Sequence, residues 1–465
     1  MSFRLATRWL QVLLLLPLAR GAVPAGAAPQ VEAAGATIRI VDGGKAVLSA
    51  TGIEKHDLRI DVDPRGEPGP LTVAVELPAS GPGAWPAEDV EVVDSAGRPL
   101  LARHVGIEWH KFSFSVPAVR ARYRVRAVDA SGGRPPLFSE EDRHAVDAAT
   151  GLRATIARWH DGRRAALSIR FDDSHPTHLS VAIPALREYG FRGTFMINPS
   201  TPDPQSPDRR RRSSSFHAHR GAWEACARRG DQELANHTLH HEGASGDASM
   251  DREIGGASKA IWDLAPGKSK LLALNLGGGT YWETTRTLRY YLDKYHLFPA
   301  SGSLGMDDVY GDRVAAFRRH LERHVEAGGW CRIHFHDIGE NRASSEANFR
   351  AALDVAKEHE PHLWIAGLAD VYKYQTERRA SRLALENATP HRVLLRLSCA
   401  TDRALYDQPL TVELSIPGSW QADRVAITGP RGDAIRTRTA SSPEGSVLRF
   451  PVPPVDAEYV IERTR

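Results

Sequence analysis

The stretch Ala166-Leu-Ser-Ile-Arg-Phe-Asp172-Asp173-Ser174 sets the reading of the whole chain. It is a short apolar strand that runs out into two adjacent carboxylates. Like charges side by side are unfavourable in a protein interior unless a cation or a shared proton offsets them. In a β/α barrel the C-terminal ends of the strands form the chemical face. The pair is therefore a candidate metal and acid–base site, although Asp-Asp alone also fits a solvated turn.

Around that stretch, residues 150–380 alternate apolar strands with amphipathic helical patterns, which argues for parallel β/α architecture. A helix is expected over 176–189, with Ser174 as its cap and Pro176 in its first turn. Leu179, Ile183 and Leu186 would form its apolar stripe, and Gly190 would end it. Thr194 to Ile197 reads as the next strand. Segment 199–217 carries four prolines and the run Arg209 to Arg212, so it is a long polar loop and a lid candidate. Its arginines would attract an acidic glycan or simply form a solvated charge run. Further strands are expected near 232–236, 271–275, 330–336 and 363–366. Helices are expected near 219–229, 314–325, 349–356 and 372–378. Six or seven β/α units suffice for a closed or slightly broken barrel.

The flanks differ in kind. Residues 36–145 alternate as β-strands, and residues 385–465 resemble them. Pro70-Leu-Thr-Val73 matches Pro409-Leu-Thr-Val412, and Phe114-Ser-Val-Pro117 matches Phe450-Pro-Val-Pro453. Val119 and Tyr123 match Val455 and Tyr459 at the same offsets. A duplicated small β-sandwich module explains this, and chance among alternating strands is the other explanation.

With 465 residues, two or three domains are expected. A formal net charge of +3 gives no argument for nucleic acid or a charged membrane surface. Residues 1–28 read as an export signal. Arg4 and Arg8 precede the apolar run Trp9 to Ala19, and Ala25-Gly26-Ala27-Ala28 offers a cleavage site. The run is too short to span a bilayer comfortably, so a secreted or periplasmic location without stable membrane insertion is expected. Cys226, Cys331 and Cys399 lie far apart and form no C-x-x-C pair. They imply no disulfide framework, and Cys331 reads as a core residue.

After the third strand comes Asn236-His237-Thr238-Leu239-His240-His241. Histidines four apart meet on one face if the segment turns helically, a spacing suited to chelating one ion. His237 and His241 are the candidate ligands, and His240 would point elsewhere. On the strand Ile333-His334-Phe335-His336-Asp337, His334 and His336 face the same side.

These motifs together resemble those of polysaccharide deacetylases, the NodB-homology fold or carbohydrate esterase family 4, over about residues 150–378. The resemblance rests on Phe171-Asp172-Asp173-Ser174, His237-Thr238-Leu239-His240-His241 and His336-Asp337. It implies a distorted (β/α) barrel, flanked here by two small β-sandwich domains. It also implies that Asp172 is the general base, that Asp173, His237 and His241 bind a divalent metal, usually zinc, and that Thr238 steadies the second motif. His336 would be the general acid. Three protein ligands leave a coordination position open for water and an acyl oxygen. The implied activity is removal of N- or O-linked acetyl groups from a polysaccharide by metal-activated water.

One departure stands out. The family's third motif, R-x-P-[YF]-G, falls near Ala273-Leu-Asn275-Leu-Gly277. Ala273 takes the place of the Arg that pairs with the base, so Asp172 must be held by something else. Gly277 and Gly278 would offer backbone N–H groups to an oxyanion, or form a plain turn. Tyr281 and Trp282 would stack on sugar rings, or be buried aromatics at a helix start. Trp330 reads as a core residue. The competing reading is a non-catalytic glycan-binding surface protein whose barrel has degenerated. Amide or ester hydrolysis on a small molecule is a third.

Overall fold

The Ala165–Phe171 strand is buried at every position, and a parallel sheet is built outward from it. The computed structural model describes residues 30–65, 69–106, 108–128, 135–206, 212–418, 420–442 and 445–464. The expected export signal and most of the 209–212 arginine run lie outside the described residues. Ala165, Leu167, Ile169 and Phe171 pack into the large core shared with the helices. Phe171 stacks on Phe195 at 4.7 Å between ring centroids and meets Phe349 edge-on at 5.8 Å. Strand alternation then sends Ser168, Arg170 and Asp172 to the inner face.

The Ala165–Phe171 strand pairs with Trp330–Phe335 along one edge. On the other edge its upper half pairs with Gly193–Ile197 and its lower half with Leu363–Ile365. The sheet continues through Glu233–Asn236 and Leu272–Leu274 to Leu297–Pro299. On the far side it ends at Leu304–Gly305. The result is a curled parallel sheet, open rather than closed. Its outer helices include Arg220–Arg229, Arg313–Ala327, Glu346–Glu358 and Leu368–Arg379.

The first helix departs from expectation. A π-helical turn, His178–Ala182, precedes the α-helix Ile183–Tyr189, which Gly190 ends in the left-handed conformation. Ser174 does not cap it. Its hydroxyl accepts from the Asn198 N–H at 2.7 Å, tying the first two strand ends together.

Outside the barrel, Ala36–Asp42, Leu71–Glu76, Glu108–Val116 and Ala102–Val105 form one antiparallel sheet. Lys45–Glu54, Asp57–Arg65, Ala121–Ala127 and Val90–Asp94 form a second, and one core lies between them. The C-terminal part repeats the pairing. Leu71 opposes Val116 and Val73 opposes Phe114, while Leu410 opposes Val452 and Val412 opposes Phe450. His144–Val146 and Arg153–Ile156 are strands of the C-terminal sheet, joined through Leu410–Ile416. The chain therefore enters that sheet before it enters the barrel.

The first sheet does not stop at its own segment. Ala102–Val105 pairs antiparallel with Tyr281–Thr284, which pairs with Ala244–Ser245. Two strands from the barrel's loops thus complete the N-terminal sheet. Among the described residues no helix is long and apolar enough to cross a membrane.

Candidate active site

The Asp173 carboxylate lies just beyond the central strand, at a backbone φ of +78°. His237 Nε2 is 3.1 Å from its Oδ1, and His241 Nε2 is 3.8 Å from the same oxygen. One donor atom from each residue lies within 4.8 Å of the others. His237 and His241 do not meet through a helical turn. Thr238 and His241 are both left-handed, at φ of +66° and +58°, and the Thr238 hydroxyl accepts from the His241 N–H at 3.1 Å. Left-handed non-glycine residues cost of order 1–3 kcal/mol each and persist where the surroundings enforce them. Four of them, Asp173, Ser174, Thr238 and His241, bracket this one cluster.

The donor set fits a divalent ion. His237 Nδ1 donates to the Asn275 carbonyl at 2.9 Å, which leaves the Nε2 lone pair facing Asp173. Asn198 Nδ2 donates to the Thr238 carbonyl at 3.0 Å. Gly277 cradles His241, because a Cβ at position 277 would lie 2.0 Å from His241 Nε2, and its φ is +77°. Two imidazoles and a carboxylate suit zinc and neighbouring ions. Burial would raise the pKa of Asp173, but the neighbouring imidazoles of His175, His237 and His241 more than reverse this in the ion-free site. Its carboxyl is held well below the ordinary range. His240 points away and donates through Nδ1 to Glu253 Oε1 at 2.8 Å.

Asp172 is fully buried beside this cluster. Its Oδ2 accepts from Arg170 Nη2 at 2.9 Å and from Asn275 Nδ2 at 3.2 Å. Its Oδ1 is buried with no protein partner, so one oxygen is held and the other is free to accept. Burial pushes its pKa up; Arg170 first, then His237, pull it back below the ordinary carboxylate value. Ala273 is completely buried and supplies no charge. The cation arrives instead from Arg170, two residues before Asp172 on the same strand face, and its Nη1 is anchored on the Ala300 carbonyl at 2.6 Å.

Opposite stands His336. Its Nδ1 donates to Asp307 Oδ2 at 2.6 Å, and its backbone N–H donates to Asp307 Oδ1 at 3.2 Å. Burial lowers its pKa, but Asp307, with Asp172 and Asp173 behind it, pushes it up to about 9. His334, 5.4 Å away between ring centroids, goes the other way. Burial and Arg170 push it down to about 4. At neutral pH one imidazole carries a proton to give, while the other, bonded to Ser303 Oγ at 2.9 Å, is neutral.

Several expected contacts are absent. Trp282 is completely buried, with its indole N–H donated to Thr280 Oγ1 at 2.8 Å, and cannot stack on a sugar. It is an internal residue of the strand that joins the N-terminal sheet. The Gly277 N–H is already donated to Asn275 Oδ1 at 3.0 Å, so it is not an oxyanion donor. Gly278 is exposed, and Tyr281 is half exposed with Arg103 stacked 3.9 Å from its ring centroid. Trp330 faces the barrel interior and donates to Ser168 Oγ at 3.1 Å. Sequence reasoning missed Arg170, Asn275 as a site residue, and Asp307. Arg170 was signalled by its two-residue spacing from Asp172. Asp307 had no signal, being 29 residues from His336 in a loop.

The family model for polysaccharide deacetylase matches residues 160–294. This stretch belongs to the polysaccharide deacetylase family. The match contains Asp172, Asp173, His237, His241 and Asn275, and it ends before Asp307 and His336. Among characterised proteins, a gellan lyase of a Bacillus species is 22% identical over 307 residues. That covers 57% of this chain but only 12% of the lyase. Among solved structures, the family 4 carbohydrate esterase of Streptomyces lividans in complex with acetate is 19% identical. It covers 45% of this chain and 95% of its own, with a TM-score of 0.33. A family 4 pseudoenzyme of Bacillus anthracis is 10% identical, covering 46% and 67%, also with a TM-score of 0.33.

Proposed function

We propose that the chain is an exported, metal-dependent hydrolase that removes acetyl groups, N- or O-linked, from a polysaccharide. The observation that carries this is the convergence of Asp173, His237 and His241 within 4.8 Å, beside a buried Asp172 whose Oδ1 has no protein partner. A divalent ion bound by those three residues, zinc by preference, would polarise the acyl oxygen and acidify water. Asp172 Oδ1 takes the proton of the attacking water, with Arg170 and Asn275 fixing the other oxygen. His336 gives its proton to the departing amine or alcohol, and Asp307 holds the imidazole in place. His334, bonded to Ser303 Oγ, is the neutral imidazole of the two. The flanking segments, with their matching registers, are inferred to be copies of one β-sandwich module.

A non-catalytic glycan-binding protein is the second reading, favoured by the missing arginine at Ala273. Arg170 weakens it, because the base still has a buried cation. Acetate release from a panel of N- and O-acetylated glycans decides between them. Release by the wild type, lowered roughly 10²–10⁴-fold in Asp172→Asn, supports the enzyme. Equal and negligible release by both, with glycan binding retained, rejects it.

A further inference from the structure

The sheet that runs from the N-terminal segment into the barrel loops has one face turned away from its core. On that face Arg39, Ala74, Ser113, Arg103 and Glu283 lie in register across five neighbouring strands. Ala74 and Ser113 are small, and the residues on either side of them are long. Neighbouring strands are about 4.8 Å apart, so two short side chains between long ones leave a trough along the strand direction. A cavity of about 330 Å³ lies there, its rim including Arg39, Lys111, Arg103 and Tyr281. That volume is at the lower end of the range for ligand pockets.

The trough adjoins the metal cluster through the chain itself. Tyr281 is four residues after Gly277, which cradles His241. Ala244–Ser245, the last strand of the same sheet, begins three residues after His241. The groups on the trough are of mixed sign. Arg103 is 3.8 Å from Glu283, and Lys111 is shared between Glu108 at 3.3 Å and Glu76 at 3.6 Å, while among the described residues Arg39 has no ion pair. A polyanion would meet the carboxylates and a polycation the arginines. An uncharged sugar strand meets donors and acceptors for its hydroxyls, and the half-exposed Tyr281 and Val41 for its apolar ring faces.

We propose that this trough is a second glycan site, holding an uncharged stretch of the same polysaccharide strand whose acetyl group is placed between Asp172 and His336. The assignment rests on the deacetylase reading above. Two linked contacts on one polymer raise its apparent affinity without any change at the reacting centre.

The test is steady-state deacetylation by the full chain of hexa-N-acetylchitohexaose against di-N-acetylchitobiose, and of acetylated xylan against acetylated xylobiose. In Ser113→Trp, which fills the trough floor, and in Arg39→Ala, the ratio of long- to short-substrate KM should rise about tenfold. An unchanged ratio in both variants, with wild-type circular dichroism, overturns the trough and leaves the deacetylase reading standing. Stronger competition by heparin than by an equal mass of uncharged xylan overturns the ligand class. If the wild type turns over none of these substrates, affinity electrophoresis in xylan gels tests the trough alone. Retardation lost in Ser113→Trp supports it, and identical mobility of variant and wild type rejects it.

Discussion

Arg170 and Asp172 show how a single position can move while its task stays. Both side chains are almost wholly buried, at 7% and 3% exposure. Breaking such a pair from one side leaves an uncompensated charge and typically costs about 3–5 kcal/mol. Arg170→Met should lose stability of that order in a urea titration, and an unchanged midpoint would deny the pairing. On the proposed mechanism the Asp307–His336 pair should set the pH dependence of activity. Activity that needs a protonated His336 is full well below pH 9 and falls as pH rises through about 9. In Asp307→Asn the largest raising influence is gone, so the basic limb of kcat against pH should move toward the ordinary histidine value of ~6.5. A limb that stays near 9 would remove His336 as the acid. Gly277→Ala puts a methyl against His241 Nε2 and should weaken metal affinity about 10–100-fold by equilibrium dialysis. Asp172, Asp173, His237, His241 and His336 were legible in sequence because each sits inside a compact motif. Asp307 was not, because a loop brings it to the site and loop closure leaves no periodic trace.

At the scale of elements, tandem residues divide their labour. Asp307 holds His336, while its neighbour Asp308 accepts from the Ser345 N–H at 2.9 Å and from Asn348 Nδ2 at 2.9 Å, at the start of the Glu346–Glu358 helix. Losing one such end contact costs about 1 kcal/mol. Asp308→Ala should therefore lower the thermal midpoint with the basic limb of the pH profile unmoved, the reverse of Asp307→Asn. Strands and helices of the barrel were readable because buried parallel strands such as Ala165–Phe171 are short, mostly apolar runs, broken here only by Ser168 and Arg170. The helical turn that would have brought His237 and His241 together is replaced by left-handed residues that fold a short loop back, and i, i+4 spacing does not tell the two apart. Trp282 was misplaced because its partner strand, Ala102–Val105, lies some 180 residues earlier, and long-range pairing of that kind has no local signature.

For the molecule as a whole, ligand binding and folding are linked. Zinc at a hundredfold excess over its dissociation constant should add about 2.7 kcal/mol to stability. A chelator should remove the increment, and His237→Ala should never show it. The flanking sheets were visible in outline from their alternation and their matching Pro-Leu-Thr-Val segments. The pairing of the N-terminal sheet with the barrel was not, because it runs through a strand of four residues, Tyr281–Thr284, too short to show an alternation of its own.

That union implies an order of manufacture. A ribosome delivers residues 36–116 early, and their sheet can form while the rest is still being made. The loop that presses Gly277 onto His241 then docks on a prepared edge. The last wall around Asp173, His237 and His241 is laid against a template that was synthesised long before it.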